Sequence, residues 1–328
     1  ASYDSSDGYR DNNEFKTKDV GGKIIFDPTE FLSFNLNGSY HSDDFDLPGP
    51  LTEEEVDEDR KNSTRPDDDG ESNDGYVKMG FEVDFGSYGS LVTDVSYRKR
   101  ENEARFVSSN SKTKNDIKTW AFTPRFVWDG SIFNHENTLI AGVDFYWTDQ
   151  DGKSYFGDPL ETSGLTDIER DSYGFYFNNE FHLLDNLVLS LGARSEKVKY
   201  DLNQKDLAFG FASLDDSESS RENAYSAGLT YLYSGKSSVF FRANRSFRFP
   251  LTDELVLFDF FNGEIVVNPD LDPQFGHHYE LGVRHYFTPD IQINMTLFHA
   301  EIKDEIFFNS ATFANENHPE TVHKGVEM

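Results

Sequence analysis

Residues 31–41 read Phe31-Leu32-Ser33-Phe34-Asn35-Leu36-Asn37-Gly38-Ser39-Tyr40-His41, and this stretch decides the fold. Leu32, Phe34, Leu36 and Tyr40 share one side of a pleat; Ser33, Asn35, Asn37 and Ser39 share the other. Side chains along a strand alternate between faces, so the pattern makes one greasy face and one wet face. About thirteen such stretches follow one another, near 15–26, 31–41, 75–85, 90–101, 117–128, 136–147, 171–183, 187–200, 222–233, 238–246, 276–287, 291–308 and 319–328. In 75–85, Val77, Met79, Phe81, Val83 and Phe85 oppose Lys78, Glu82 and Asp84. In 117–128, Trp120, Phe122, Phe126 and Trp128 oppose Thr119, Thr123 and Arg125.

The connections alternate too. Turns rich in Asp, Pro, Gly and Asn, such as Asp27-Pro28-Thr29-Glu30, Leu184-Asp185-Asn186 and Thr288-Pro289-Asp290, are short. Between them come long segments, 4–14, 42–74, 102–116, 148–170, 201–221, 247–275 and 309–318, each expected as an extracellular loop. Short turns on one edge and long loops on the other mark an all-β, antiparallel, up-and-down transmembrane barrel. The wet faces carry Arg125, Asp144, Glu180, Arg194, Glu196, Arg242, Glu280 and Arg284. A dry core holds so many charges only with dense pairing, whereas a lumen filled by water or a plug takes them readily. That argues against a soluble β-sandwich.

Composition agrees. The 328 residues include 31 Phe and 16 Tyr, which favour strands and interfacial girdles. Zero Cys excludes a disulfide scaffold and a thiolate metal site. Mean hydropathy is −0.65, and no apolar run reaches the ~18 residues of a membrane helix; a barrel needs none. The formal net charge of −30 excludes nucleic acid as a partner, since phosphate binding needs a basic face. Residues 42–74 hold 14 Asp or Glu against Arg60, Lys61 and Arg65. This acidic stretch reads as a solvated loop; its functional reading is a cation-collecting vestibule, or a loop tied to lipopolysaccharide through divalent ions.

One connection is specific. Residues 240–255 read Phe-Phe-Arg-Ala-Asn-Arg-Ser-Phe-Arg-Phe-Pro-Leu-Thr-Asp-Glu-Leu. Asn268-Pro269-Asp270-Leu271-Asp272-Pro273-Gln274 and Tyr279-Glu280-Leu281-Gly282-Val283-Arg284 follow. This order resembles the barrel of TonB-dependent outer-membrane receptors. Arg248, Pro250, Glu254, Leu255, Asn268, Pro269, Leu271, Pro273, Glu280 and Gly282 fill that family's Arg-x-Pro, Glu-Leu, Asn-Pro-x-Leu-x-Pro and Glu-x-Gly places. Asp7-Gly8-Tyr9-Arg10-Asp11-Asn12, Leu47-Pro48-Gly49-Pro50-Leu51-Thr52, Ile302-Lys303-Asp304-Glu305-Ile306 and Lys324-Gly325-Val326-Glu327 also look like segments of this family. Gln274 departs from it, standing where an acidic residue is usual. Proline fixes φ and removes a donor, so the signature reads as structural, with Arg248 pairing with Glu254 or Glu280 to pin the loop.

The resemblance implies a bacterial outer-membrane barrel of about 22 strands with a plugged lumen. It also implies an N-terminal plug domain, a segment engaging TonB, and import of a scarce solute into the periplasm. Residues 1–328 are then expected to be a partial barrel domain, with plug and closing strands beyond its ends. A ferric siderophore is the first cargo expected; cobalamin, another chelate or a glycan follows, and a passive porin is the alternative outside the family. Aromatics placed for ligand contact are Tyr155 and Phe156 in one expected loop and Phe258, Phe260 and Phe261 in another. The bland reading is that they pack loop against loop.

No enzyme, cofactor or metal is expected. His135-Glu136-Asn137-Thr138-Leu139 lacks the second His of a zinc-protease motif. His277 and His278 point to opposite faces of a strand, and His285 is far from His277. Asp67-Asp68-Asp69-Gly70 misses the first ligand of a calcium loop. A hydrolase needs a Ser/His/acid cluster on neighbouring strands, and none assembles.

Overall fold

The computed structural model describes residues 1–210, 213–259, 264–312 and 314–328. The early strands are β1 (Ser2–Ser6), β2 (Phe15–Thr29), β3 (Leu32–Asp46), β4 (Asp69–Asp84), β5 (Ser90–Phe106) and β6 (Ser111–Ile132). Then come β7 (His135–Phe156), β8 (Glu161–Leu184), β9 (Leu187–Asp206), β10 (Leu214–Ser234) and β11 (Ser237–Arg248). A small pair, β12 (Val256–Asp259) and β13 (Glu264–Val267), precedes β14 (Gln274–Thr288), β15 (Ile291–Asn309) and β16 (Ala314–Glu327). One short helix, α1 (Glu53–Asp59), lies between β3 and β4.

Among the described residues, β1–β11 and β14–β16 form one 14-stranded sheet in chain order, every pair antiparallel, with β12–β13 separate. This is an open arc of an up-and-down barrel, with β1 and β16 at its edges. All thirteen expected strands are present, and β1 accounts for the extended N-terminal stub.

Register carries the alternation across the sheet. Trp120 stands opposite Trp147, and Phe122 opposite Phe145. Tyr173 follows opposite Phe145, and Leu191 opposite Ala227. These side chains face outward, where Ile24 is 65% and Phe175 57% exposed. Such a band suits lipid. On β6, Trp120 and Trp128 bracket Phe122 and Phe126. They stand about 26 Å apart along the strand, or about 20 Å of depth at a barrel's tilt. No helix among the described residues is long and apolar enough to cross a membrane.

The strands are longer than the alternation indicated. Four segments expected as loops are mostly strand: 102–116, 148–170, 201–221 and 309–318 lie largely within β5–β6, β7–β8, β9–β10 and β15–β16. Beyond the lipid both faces are wet, so the hydrophobic period disappears while the backbone ladder continues. Charge pairing replaces apolar packing there. Lys112 Nζ lies 2.6 Å from Glu103, Lys118 Nζ 3.2 Å from Asp151, and Arg105 pairs with Asp69. The acidic stretch 42–74 narrows likewise, because β3 runs to Asp46 and β4 begins at Asp69.

Candidate functional site

Two excursions remain long, and both fold back onto the sheet. After β11, the described residues of the segment 249–273 lie across the inner face of β8 and β9. Phe249, Leu255, Val267 and Leu271 bury themselves against Ile168, Val198, Tyr200 and Leu202. Leu214, Phe247 and Ile306 close the sides of this cluster. Burying apolar side chains on a barrel's inner wall holds the segment in the mouth rather than in solvent.

The signature residues make the clasp. Arg248 Nη1 donates to both carboxylate oxygens of Glu254, at 2.7 and 2.6 Å, and Glu254 Oε2 also accepts from the Leu251 amide at 2.9 Å. Glu280 is not this partner: it stands on β14 opposite Arg242. Pro250 is fully buried, and its carbonyl accepts from the Tyr200 hydroxyl at 2.6 Å. The Asn268 amide donates to the Leu255 carbonyl, closing the segment on itself. Asn268 Nδ2 donates to Asn315 O, and Asn315 Nδ2 returns to Glu254 O. Asn317 exchanges two bonds with Asp272, through its Oδ1 and its Nδ2. Pro269 and Pro273 sit in the non-strand run between β13 and β14. Gln274 Oε1 accepts from Arg248 Nη2 at 3.2 Å and from the Ile306 amide at 3.1 Å, and a carboxylate oxygen does both equally well.

Gly282 has a different task. It stands opposite Phe240 on the inner face, and a Cβ there would collide with the Phe240 ring. The Arg242 guanidinium lies 5.0 Å from the centre of that ring.

The second excursion, 47–68, is clasped from β1–β2. Arg10 donates to the carbonyls of Gly49 at 2.6 Å, Pro48 at 3.3 Å and Asn62 at 2.9 Å. Asn12 Nδ2 donates to Arg65 O at 2.7 Å and Asp68 O at 2.9 Å. Asp68 is wholly buried and accepts from the Ser108 amide and hydroxyl. Two segments far apart in sequence, 7–12 and 47–52, thus meet in one structure. Within the excursion, Thr52 caps α1 in a reciprocal box with Glu55. The Thr52 amide and hydroxyl donate to the Glu55 carboxylate and hold it below the usual carboxylate range.

Below the mouth the inner wall is charged and paired. Arg194 reaches Asp144 at 2.6 Å and Glu196 at 2.7 Å. Asp94 takes Lys78 and Arg125, each at 3.3 Å. A cavity of about 370 Å³ opens beside Asp144, Tyr176, Asn178, Arg194 and Ser226. Acid, base and phenol groups stand in it beside apolar surface from Ala193, Ala224 and Tyr225.

Of the aromatics expected in loops, Tyr155 and Phe156 are the last two residues of β7. Lys112 lies 5.9 Å from the Tyr155 ring centre, and the Phe156 ring meets Phe209 edge-on at 5.4 Å. Phe156 therefore packs hairpin against hairpin. Phe258 stands in β12 across from Ile265; Phe260 and Phe261 lie outside the described residues. Of the expected site residues, the structure brings Arg248, Pro250, Glu254, Leu255, Asn268 and Leu271 together. Tyr200, Asn315, Asn317 and Gln204, which accepts from the Val267 amide at 2.9 Å, escaped the sequence reading. For Tyr200 a signal existed: Val198, Tyr200 and Leu202 share the face of Arg194 and Glu196, so the inner face turns apolar there.

The family model described as "TonB dependent receptor-like, beta-barrel" matches residues 4–328. No protein of curated function matches the sequence. Among solved structures, the unliganded ferric citrate transporter FecA superposes with a TM-score of 0.78 at 17% identity, covering 97% of this chain and 48% of that one. The ferric yersiniabactin uptake receptor FyuA of Yersinia pestis gives 0.76 at 13%, covering 99% and 51%. The copper transporter OprC gives 0.75 at 14%, covering 98% and 51%. The chain spans about half the length of these structures. At such identities the likeness is one of fold.

Proposed function

Because the chain belongs to the TonB-dependent receptor β-barrel family, a family of the bacterial outer membrane, we propose that it is part of the wall and mouth of an active transporter. The observation that carries this reading is the segment 249–273 folded into the mouth and clasped by the family signature. Further strands complete the barrel, a plug domain of the same protein fills it, and TonB supplies energy from the inner membrane. The paired charges at Asp144, Arg194 and Glu196 give the plug a polar wall to rest on.

The cargo we favour is a ferric siderophore. Receptors and transporters of ferric citrate and ferric yersiniabactin share the fold, and the wall offers cations beside aromatic rings, as where Arg194 lies 5.6 Å from the Tyr176 ring centre. Cobalamin or another chelate or glycan is the alternative within the family; the copper transporter of the same fold keeps metal cargo in view. A passive porin is the alternative outside it.

The test uses the full-length parent in detergent, titrated with ferric siderophores and cobalamin while following Trp fluorescence. Saturable quenching by one ferric chelate, and uptake that stops in cells lacking TonB, supports the reading. Open-channel conductance in planar bilayers with no TonB requirement for uptake returns it to a porin.

A further inference from the structure

The lipid-facing side of β6–β10 carries an arrangement outside the lumen. One cross-strand row reads Phe122, Phe145, Tyr173, Lys197 and Arg221. It lies directly below the Trp120–Trp147 row, at the level of the outer girdle. On β6–β8 the row is aromatic, as an interface demands. On β9 and β10 it turns into two cations facing each other.

Like charges directly opposite on neighbouring strands repel. Two cations on this face have a partner in the chain: Lys199 Nζ lies 2.6 Å from Asp201, and Lys118 3.2 Å from Asp151. Lys114 and Lys153 also face each other, but Lys153 stands eight residues above Phe145 on β7, in the rim beyond the lipid. Lys197 and Arg221 have no ion-pair partner among the described residues. Asp171, one row higher, accepts from the Tyr173 hydroxyl at 3.2 Å. The two cations also border a groove of about 460 Å³, walled by Val143, Phe145, Tyr173 and Phe175 and floored at Ser195. The Phe145 and Tyr173 rings meet edge-on with centres 6.0 Å apart, which fixes the wall.

Height selects the occupant. Lys197 lies ten residues above Leu187, where β9 leaves its short turn. That is about 33 Å of strand and about 25 Å of depth, the full height of an apolar band. The cations therefore meet the outer leaflet. We propose that this groove binds lipopolysaccharide, a lipid A phosphate seated between Lys197 and Arg221 and an acyl chain along Phe145, Tyr173 and Phe175. The inference rests on the outer-membrane location alone and not on the cargo.

The test takes the delipidated full-length parent in mild detergent and measures lipid retention by native mass spectrometry. Bisphosphorylated lipid A is expected to be retained, and its dephosphorylated form and phosphatidylglycerol to be retained poorly. The double variant Lys197→Glu/Arg221→Glu is expected to bind lipid A about ten- to thirtyfold more weakly. Equal retention of the phosphorylated and dephosphorylated forms by the unmodified protein overturns the proposal, whether or not the variant folds. Phosphatidylglycerol bound as tightly as lipid A overturns the assignment to the glycolipid, and an unchanged folded double variant overturns the site.

Discussion

The Tyr200 hydroxyl donates to the Pro250 carbonyl at 2.6 Å, a buried bond joining the barrel wall to the segment that fills its mouth. Tyr200 belongs to β9 and Pro250 to the signature, so this bond couples a spanning strand to the clasp. Tyr200→Phe leaves a buried carbonyl without its donor, at a cost of about 1–3 kcal/mol. Hydrogen exchange is expected to quicken in 249–257 and stay unchanged in β4–β6. Faster exchange in both regions would mean that the bond holds the whole sheet.

Arg248→Lys keeps the charge but loses the simultaneous hold on Glu254 through Nη1 and on Gln274 through Nη2, because an ammonium cannot present the planar fork. Limited proteolysis within 249–273 is expected to rise. Gln274→Glu is expected to shift stability by no more than about 0.5 kcal/mol, since its oxygens still accept from Arg248 and Ile306. Gln274→Leu removes the one oxygen that accepts both bonds and should resemble Arg248→Lys. If Gln274→Glu proved as damaging as Gln274→Leu, the acceptor account of this position would be wrong.

Gly282→Val drives a branched side chain into the Phe240 ring on the inner face. Overpacking of this kind costs about 1–3 kcal/mol. Heat-modifiability on gels, which reads barrel unfolding, should move to lower temperature. The paired change Gly282→Val/Phe240→Ala should recover part of the loss.

Glu55 titrates below the ordinary carboxylate range because Thr52 donates to its charged form. A lowered folded value means the cap is fully effective above the unfolded value of about 4.3 and is lost as pH falls through the folded one. Exchange at the Val56 amide, bonded to Thr52 O at 3.0 Å, should quicken below about pH 4. Glu55→Ala should remove that pH dependence; a Val56 profile identical in both proteins would separate the helix from its cap.

Arg10→Ala withdraws every guanidinium bond to the carbonyls of Pro48, Gly49 and Asn62. Protease cutting within 53–62 is expected to increase, with transport altered only if this excursion touches cargo. Unchanged cutting would show that Asn12 and Asp68 suffice to hold it.

What the sequence disclosed follows from where water is. Inside the lipid, one face must be apolar, so Phe122, Phe126 and their like announce every spanning strand. Above the lipid neither face must be apolar, so β7 beyond Trp147 looks like loop although its ladder continues to Phe156. The signature was legible because proline and glycine mark backbone that cannot be ordinary strand. Its partners were not. Tyr200, Asn315 and Asn317 sit on regular strands, and only the fold brings them under the segment. The Lys197–Arg221 pair was hidden for the same reason, since twenty-four positions of chain separate two residues that face one another.

The extension of the strands beyond the lipid bears on how such a receptor changes over generations. A rim built of zipped hairpins ties each residue to a cross-strand neighbour, so one insertion there shifts a whole register. The excursions 47–68 and 249–273 carry far less of this constraint between their anchors, where among the described residues only β12 and β13 form a ladder. New specificity, and escape from agents that dock at the surface, will accumulate in those two stretches while the surrounding palisade stays almost fixed in length. Comparing insertions and deletions among related barrels would display that uneven tempo directly.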